Sequence, residues 1–467
     1  MRDIIVSLII VGLFPACYRR PFVGLCIFTW LAYMRIQDLT WGFAKDQRWS
    51  YYVAILMLAG YFTMPRKDKR FFLPDPRCYL MILLAVWVGL GVLFSETITA
   101  FGLQAQLGGY LEFVKIIGVA LFTTGMIRNK EQLRVVLWII ALSLGFYGVK
   151  TGMVGVFTLG SPVISGPGGL LADNNDFSMA MAMAVPMLFH LGWTERRPEL
   201  RKAFWFCVPL SAFTVILTRS RGGFLAISAA IGILIWRSKN RVMGILIGLF
   251  LGLALIAFAP SDFKERLSTL KNPTEEGSAA SRIKAWGIAT RMALANPVFG
   301  VGYRKFRQHY NDYNPNPTPY ELAGKGKIVA HSSYFQIWAE CGTVSLIIYF
   351  VLIFSSLWTC ASVRRMARTR YYSSWIMNYA TMFEASLVTF MVGATFLNRA
   401  HFDLFYQWVA LIIVFGRIAR AEMRDEGKHP MRAGTRGEIK NVRRTGFAPV
   451  SGSDADRSRR RLIPRGV

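Results

Sequence analysis

Two arginines one residue apart, Arg219 and Arg221 in "TRSRGGF" (218–224), lie between two long apolar runs with only a few residues of loop to hold them. A guanidinium stays charged at any relevant pH and presents a planar fork of donors that matches phosphate oxygens. Gly222 and Gly223 behind it would let backbone approach a ligand closely. A second basic set occupies "SRIKAWGIATRMALANPVFGVGYRKF" (281–306), with Arg282, Lys284, Arg291, Arg304 and Lys305, and Arg307 directly after it. A third stretch, "IVAHSSYFQIWAECG" (328–342), places His331 at the mouth of an apolar run. An imidazole there can take a proton from a hydroxyl near neutral pH. Glu340, roughly two helical turns deeper, is a carboxylate in an apolar helix and needs a partner, for which an arginine is the economical choice. Blander readings compete at each position. Arginines beside a bilayer snorkel to lipid phosphates, a histidine at a helix mouth serves packing, and the 278–306 helix would suit an interfacial amphipathic role.

The elements that must position these residues are membrane spans. The 467-residue chain is 53% hydrophobic, with 34 Phe and a mean hydropathy of +0.35. Many runs approach the roughly 20 apolar residues that cross a bilayer core of about 30 Å. The expected spans are about 4–17, 21–35, 50–64, 78–95, 110–126, 132–152, 176–193, 203–218, 222–236, 241–260, 333–360, 375–397 and 403–420. The fold class is therefore all-α, a polytopic transmembrane bundle of about 12–13 spans. The first run lacks a small-residue cleavage site and reads as a retained segment. The first two spans are short, so one could be re-entrant.

Orientation follows from Lys and Arg in the loops. Segments 65–77, 128–134, 194–202, 237–240 and 364–370 are basic and read as cytoplasmic, whereas 95–109 and 159–176 carry neither residue and read as outward. That alternation places 218–224, the long segment 261–332 and 398–402 in the periplasm. Arg219 and Arg221 then sit where the topology rule gives arginine no reason to be. The formal charge of +28 is largely this cytoplasmic bias, so it does not indicate nucleic acid. The six cysteines show no C-x-x-C pair or metal spacing. The organisation reads as an N-terminal transmembrane region (1–200), a catalytic transmembrane region (201–420) containing the periplasmic loop 261–332, and a basic tail (421–467). That tail, from about Arg417 onward, has a disordered composition.

Within the loop, Ser281 is a plausible cap for an amphipathic helix in which Arg282, Ala285, Trp286 and Ala289 share a face. Asn296-Pro297 stops it and "GVGY" turns. Ser332 or Ser333 is placed to cap the following span. In "LLADNNDF" (170–177), Asp173 and Asp176 could suggest a divalent metal, but a helix N-cap explains them more simply, and no metal ligand is assigned.

In this constellation the chain resembles the O-antigen ligase and polymerase family of bacterial membrane glycosyltransferases. Its N-terminal half looks closest to the exosortase-A-associated O-glycosylation ligases. The motifs are "SRGG" (220–223), "SRIKAW" (281–286) and "AHSSYFQIWAECG" (330–342), each short but ordered and placed as in the family, with the likeness running to about residue 420. The resemblance implies an inner-membrane enzyme that moves a glycan from an undecaprenyl-diphosphate donor to an acceptor hydroxyl at the periplasmic face. Inversion occurs at the anomeric centre, and neither metal nor cofactor takes part. Residue by residue, it implies catalytic roles for Arg221, Arg282 and His331, and it matches Asn175 to an asparagine near the donor. Arg219 and Arg304 lie beside matched motifs, and Glu340 inside one, as substrate-binding candidates. The extra N-terminal segments depart from the family pattern. A polymerase on the same fold and a lipid-linked glycan flippase are the competing functions. The lack of an internal repeat weakens the second.

Overall fold

The computed structural model describes residues 2–426 except 95–99, 159, 162, 164, 169–170, 239–240, 243, 247, 249–276 and 370–372. Among these residues the protein is helical, with one isolated bridge between Ser165 and Asp173. In the hydrocarbon of a bilayer a helix satisfies its own backbone, so apolar runs of this length have no cheaper conformation. The longer helices are α1 (Arg2–Arg19), α2 (Pro21–Met34), α3 (Trp49–Thr63), α4 (Pro76–Phe94), α5 (Ala100–Met126), α6 (Lys130–Phe157) and α7 (Asn174–Thr194). They continue with α8 (Pro198–Leu217), α9 (Arg221–Arg237), α10 (Gly277–Ala295), α11 (Ser333–Thr369), α12 (Ser374–Ala394) and α13 (Asp403–Glu426). Seven of them, α4 to α8, α11 and α13, are long and apolar enough to cross a membrane, which makes the chain a polytopic helical membrane protein. At 1.5 Å per residue the 14 residues of α2 reach only about 21 Å, short of a full crossing. Most of the expected span 241–260 and the tail beyond 426 lie outside the described residues.

The centre of the bundle is built by α7 and α13. Residues 176–188 of α7 and 404–416 of α13 are buried without interruption, the mark of a helix packed on every side. In α7, Ala180, Ala182 and Ala184 alternate with Met179, Met181 and Met183, so neighbours approach closely between adaptable side chains. At the basic end of the bundle, ion pairs join neighbouring elements: Arg128 to Asp68 (2.9 Å), Arg134 to Glu195 (2.8 Å), and Arg237 and Arg364 together on Glu384. The opposite end carries the 158–173 and 395–402 connections, the α8–α9 junction and the described part of the long segment.

Several boundaries differ from the sequence expectation, among them that of α5, which begins at Ala100 within the expected 95–109 loop and not near 110. Helix α10 begins at Gly277, so Ser281 is its fifth residue and not its cap. Helix α13 runs past Arg417 to Glu426 because Ile418 and Met423 still pack on the core and Arg417 donates to the Ile127 carbonyl (2.6 Å). Helix α11 continues to Thr369 but breaks at Gly342 (φ 82°, ψ 176°). The break is filled by the "GVG" turn. Val301 and Gly302 N–H donate to the carbonyls of Ala339 (2.8 Å) and Glu340 (3.1 Å), and Thr343 N–H donates to Pro297 (2.8 Å). A side chain at Gly342 would strike the Val298 carbonyl at 2.1 Å, so the glycine is required twice, by its φ and by this approach.

Candidate functional site

Five chain segments meet at the end of the bundle opposite the basic loops. Asp173 caps α7, accepting from Asn175 N–H (2.9 Å), which bears out the capping reading of "DNND". Ser220 caps α9 by accepting from Gly223 N–H, and its hydroxyl donates to Asn175 Oδ1 at 2.7 Å. Asn174 donates to the Thr218 carbonyl (3.2 Å). The two polar motifs, 44–45 residues apart, thus form one junction with Arg219 in the link and Arg221 as the first residue of α9. Gly222 and Gly223 allow close packing here. A Cβ on Gly223 would lie 1.7 Å from Ser178 Oγ, and one on Gly222 would lie 2.9 Å from the Leu397 side chain.

The 396–400 segment binds these helices to α11. Ser333 Oγ donates to the Leu397 carbonyl (2.8 Å) and accepts from Arg399 N–H (2.9 Å), while Ala400 N–H donates to Gln336 Oε1 (3.1 Å). The expected cap on α11 is therefore not made: Ser333 holds the loop, and the buried Ser332 hydroxyl has no hydrogen-bond partner among the described residues. The Arg399 guanidinium pairs with the buried carboxylate of Asp176. Burial lowers the Arg399 pKa, and the carboxylates of Asp173 and Asp403 oppose that shift.

Helix α10 delivers Arg282. Ala285, Ile288, Ala289 and Met292 are buried against α11 and the 301–310 stretch, and the Trp286 ring stacks on Phe335 (centroids 5.3 Å apart, planes at 14°). Its apolar face is thus used inside the protein and not on lipid. Lys284 pairs with Glu321 (2.7 Å), which also accepts from Tyr310, Asn314 and Thr318. Burial alone would raise the Glu321 carboxyl, but the Lys284 ammonium and these donors hold it at about 2.

His331 stands beside this helix. Burial lowers its pKa below the ordinary 6.5, and the guanidinium charges of Arg282 and then Arg307 push the same way, against Asp173. The ring is therefore neutral at physiological pH, with a nitrogen able to accept a proton. Among the described residues, the non-glycine residues at positive φ are Arg35 (45°), Arg219 (53°), Arg304 (58°) and His331 (47°). Three of these four are residues singled out from the sequence. Each costs about 1–2 kcal/mol of backbone energy that the surrounding contacts must offset.

Arg304 and Glu340 belong to a neighbouring compartment. Arg304 pairs with Glu112 of α5 (3.4 Å) and lies over the Tyr303 ring (5.6 Å). Among the described residues Glu340 makes no ion pair with a guanidinium, the partner expected for it, although the Arg304 charge acts on it. Its carboxylate accepts from the Gln336 amide (3.3 Å) and from Phe306 N–H (3.4 Å), because the kink at Gly342 brings the 301–306 backbone against it. Both residues line a cavity of about 280 Å³ together with Arg307, Arg399, His401 and Asp403.

Arg399, His401 and Asp403 were not selected from the sequence. For Arg399 the signal was there, since an arginine in the outward "NRAHF" loop violates the positive-inside expectation as Arg219 and Arg221 do.

The N-terminal part of the chain, residues 1–191, matches a family of unknown function, DUF5935. No curated protein matches the chain. Residues 206–350 match the family model described as O-antigen ligase, and the chain is thus similar to O-antigen ligases over the stretch that holds Arg219, Arg221, Arg282, Arg304, His331 and Glu340.

Proposed function

We propose that this protein transfers a glycan from an undecaprenyl-diphosphate carrier to an acceptor hydroxyl at the periplasmic face of the bacterial inner membrane, as the exosortase-associated subtype would. The observation that carries the reading is His331, held neutral in a left-handed backbone conformation beside the Arg282 guanidinium. Arg221 and Arg282 hold the diphosphate, with Arg219 and Asn175 at its edge. The acceptor oxygen attacks the anomeric carbon from the side opposite the diphosphate. As that bond forms, the sugar–phosphate C–O bond breaks, the diphosphate leaves on its lipid with the bonding pair, and the hydroxyl proton passes to an imidazole nitrogen of His331. Negative charge grows on the leaving group, so fixed guanidinium groups stabilise the transition state more than the ground state.

The test uses purified protein, an undecaprenyl-diphosphate-linked glycan and a chelator. Wild-type protein should form product under these conditions. His331→Ala should lose about 10²-fold or more of the rate with donor binding retained, the usual scale for a general base. Arg221→Lys should be nearly as impaired, because an ammonium cannot make a bidentate phosphate contact. Near wild-type transfer by His331→Ala, or strict dependence on a divalent ion, overturns the mechanism. Translocation of lipid-linked glycan without transfer would indicate a flippase.

A further inference from the structure

A group of cations at the site end of the bundle takes no part in the proposed reaction. Arg2 opens α1, and Arg35, Lys45 and Arg48 lie in the connection between α2 and α3. That connection lies at the same end as Arg221 and His331, because a Cβ on Gly168 of the 158–173 connection would lie 2.5 Å from Asp38 Oδ2. Lys150 joins them from α6. It stands 20 residues past Lys130 of the basic end, about 30 Å along the helix, which is the thickness of a bilayer core. Lysine and arginine concentrate at the opposite end, so cations here need a separate reason.

Arg2 and Lys150 line a pocket of about 480 Å³ whose wall is otherwise mainly apolar, from Ile5 and Val6 of α1 and from Ile36 and Leu39 of the turn after α2. The Arg2 guanidinium lies 4.6 Å from the Trp41 ring, and Trp41 is 85% exposed. An exposed indole beside a cation suits the headgroup level of a membrane. The adjoining carboxylates are engaged. Asp38, in the wall, pairs with Arg35 (2.5 Å), and Asp3, next to Arg2 in the chain, accepts from the N–H groups of Gly42 (3.0 Å) and Ala44 (3.1 Å). Among the described residues neither Arg2 nor Lys150 makes an ion pair. The pocket thus offers two positive charges and no uncommitted carboxylate. An anion satisfies it, whereas a zwitterionic headgroup brings an ammonium that finds no partner. Ile5 and Ile9, at i+3 and i+7 from Arg2, share its face of α1, with Leu8 beside them, and all three are 44–66% exposed. An apolar stripe running from a cation at headgroup depth is a surface on which a lipid tail can lie.

We propose that this pocket binds the phosphate of an anionic glycerophospholipid of the phosphatidylglycerol type between the Arg2 guanidinium and the Lys150 ammonium, with its acyl chains along α1. The pocket lies wholly within residues 1–191, the part that matches the family of unknown function. It shares no lining residue with the cavity beside Glu340 and contains neither Arg221 nor His331, so binding here is independent of glycan transfer.

The test uses the full chain, purified in a non-ionic detergent and freed of co-purified lipid, with binding read by native mass spectrometry. The probes are phosphatidylglycerol and phosphatidylethanolamine with identical acyl chains, undecaprenyl diphosphate and inorganic phosphate. Phosphatidylglycerol should bind about tenfold more tightly than phosphatidylethanolamine. Its binding should weaken several-fold between about 0.1 M and 1 M ammonium acetate. Arg2→Gln and Lys150→Gln, at exposed positions, should each weaken it about fivefold and together about 20-fold, the scale of one interfacial cation apiece. Lys45→Gln, on the same connection but outside the pocket wall, should leave it unchanged. If the double variant fails to fold, either single variant decides. Equal affinity for the two phospholipids, binding indifferent to salt, or phosphatidylglycerol binding unchanged in the variants overturns the site. A loss in Lys45→Gln as large as that in Lys150→Gln would reduce it to general surface charge and overturn it as well. Displacement by low-millimolar inorganic phosphate would make it a site for the free anion. Tighter binding of undecaprenyl diphosphate, lost in the same variants, would give the pocket to the carrier lipid. Each of these last two results overturns the phospholipid assignment.

Discussion

Replacing Gly342 by alanine tests the feature on which both compartments depend. Residue 342 has φ 82° and ψ 176°, a region essentially restricted to glycine, so a side chain there costs about 1–3 kcal/mol. Its Cβ would also lie 2.1 Å from the Val298 carbonyl, so the 297–302 segment must move. Moving it breaks the three backbone bonds that fill the kink, at about 1 kcal/mol net each. The local destabilisation is therefore roughly 4–6 kcal/mol if the segment leaves. A reporter is already in place, since Cys341 is buried beside the break (3% exposed). Its maleimide labelling, measured in a Cys26→Ala background because Cys26 is partly accessible, proceeds through local opening. A fall of about 4 kcal/mol in the opening energy should speed labelling roughly 10³-fold. Cys360, fully buried farther along α11, should label as slowly as before, which separates local opening from global unfolding. Labelling of Cys341 within about threefold of wild type would refute the claim that the "GVG" insertion shapes the kink.

Other predictions follow from the charges. The acid limb of kcat/KM should lie below pH 6.5, because burial and Arg282 oppose protonation of His331, and Arg282→Gln should move that limb upward while also slowing transfer. A limb unmoved in Arg282→Gln would deny the apposition. Glu321→Gln should raise trypsin cleavage at Lys325 and Lys327 about tenfold at neutral pH, on the scale of a lost buried ion pair with Lys284. The Glu321 pKa is depressed, so the wild-type protection, followed below neutral pH by amide hydrogen exchange of residues 321–327, should be complete above 4.5 and disappear as pH falls toward about 2. Protection independent of pH in this window would remove Glu321 as the anchor. For topology, an impermeant thiol reagent applied to spheroplasts should label Lys325→Cys and spare Thr369→Cys, and the reverse pattern would invert the proposed orientation.

The elements were legible because a span is a local property. Apolar run length alone located α4 to α8, α11 and α13, although α5 begins ten residues ahead of the expected span and α11 runs nine residues beyond it. The ends were less so, for reasons that are tertiary. The α11 break at Gly342 exists because another segment supplies hydrogen bonds to the carbonyls of Ala339 and Glu340, and nothing within "AECGTV" announces that partner. The same holds for caps. Ser332 and Ser333 have the right chemistry at the right place, yet Ser333 turns to the Leu397 carbonyl and the Arg399 N–H of a loop more than 60 residues away.

The site shows the same division. Residue type told what Arg219, Arg221, Arg282 and His331 can do, since a cation outside the positive-inside pattern or a histidine at a helix mouth needs a reason. It did not tell which of them meet. Arg304 and Glu340 fall into a separate cavity because the chain between Pro297 and Phe306 is threaded into the α11 break, a constraint imposed over about 40 residues of sequence. Arg304 and His331 share strained backbone, and Arg304 lines the cavity beside Glu340. Strain of this kind persists only where surrounding contacts over-determine the position. Two residues past His331, Ser333 is bound to the 397–399 loop, and Arg304 is held by Glu112 and Tyr303. The two compartments are therefore held by the same folded outer segment. A change in that segment should disturb both at once.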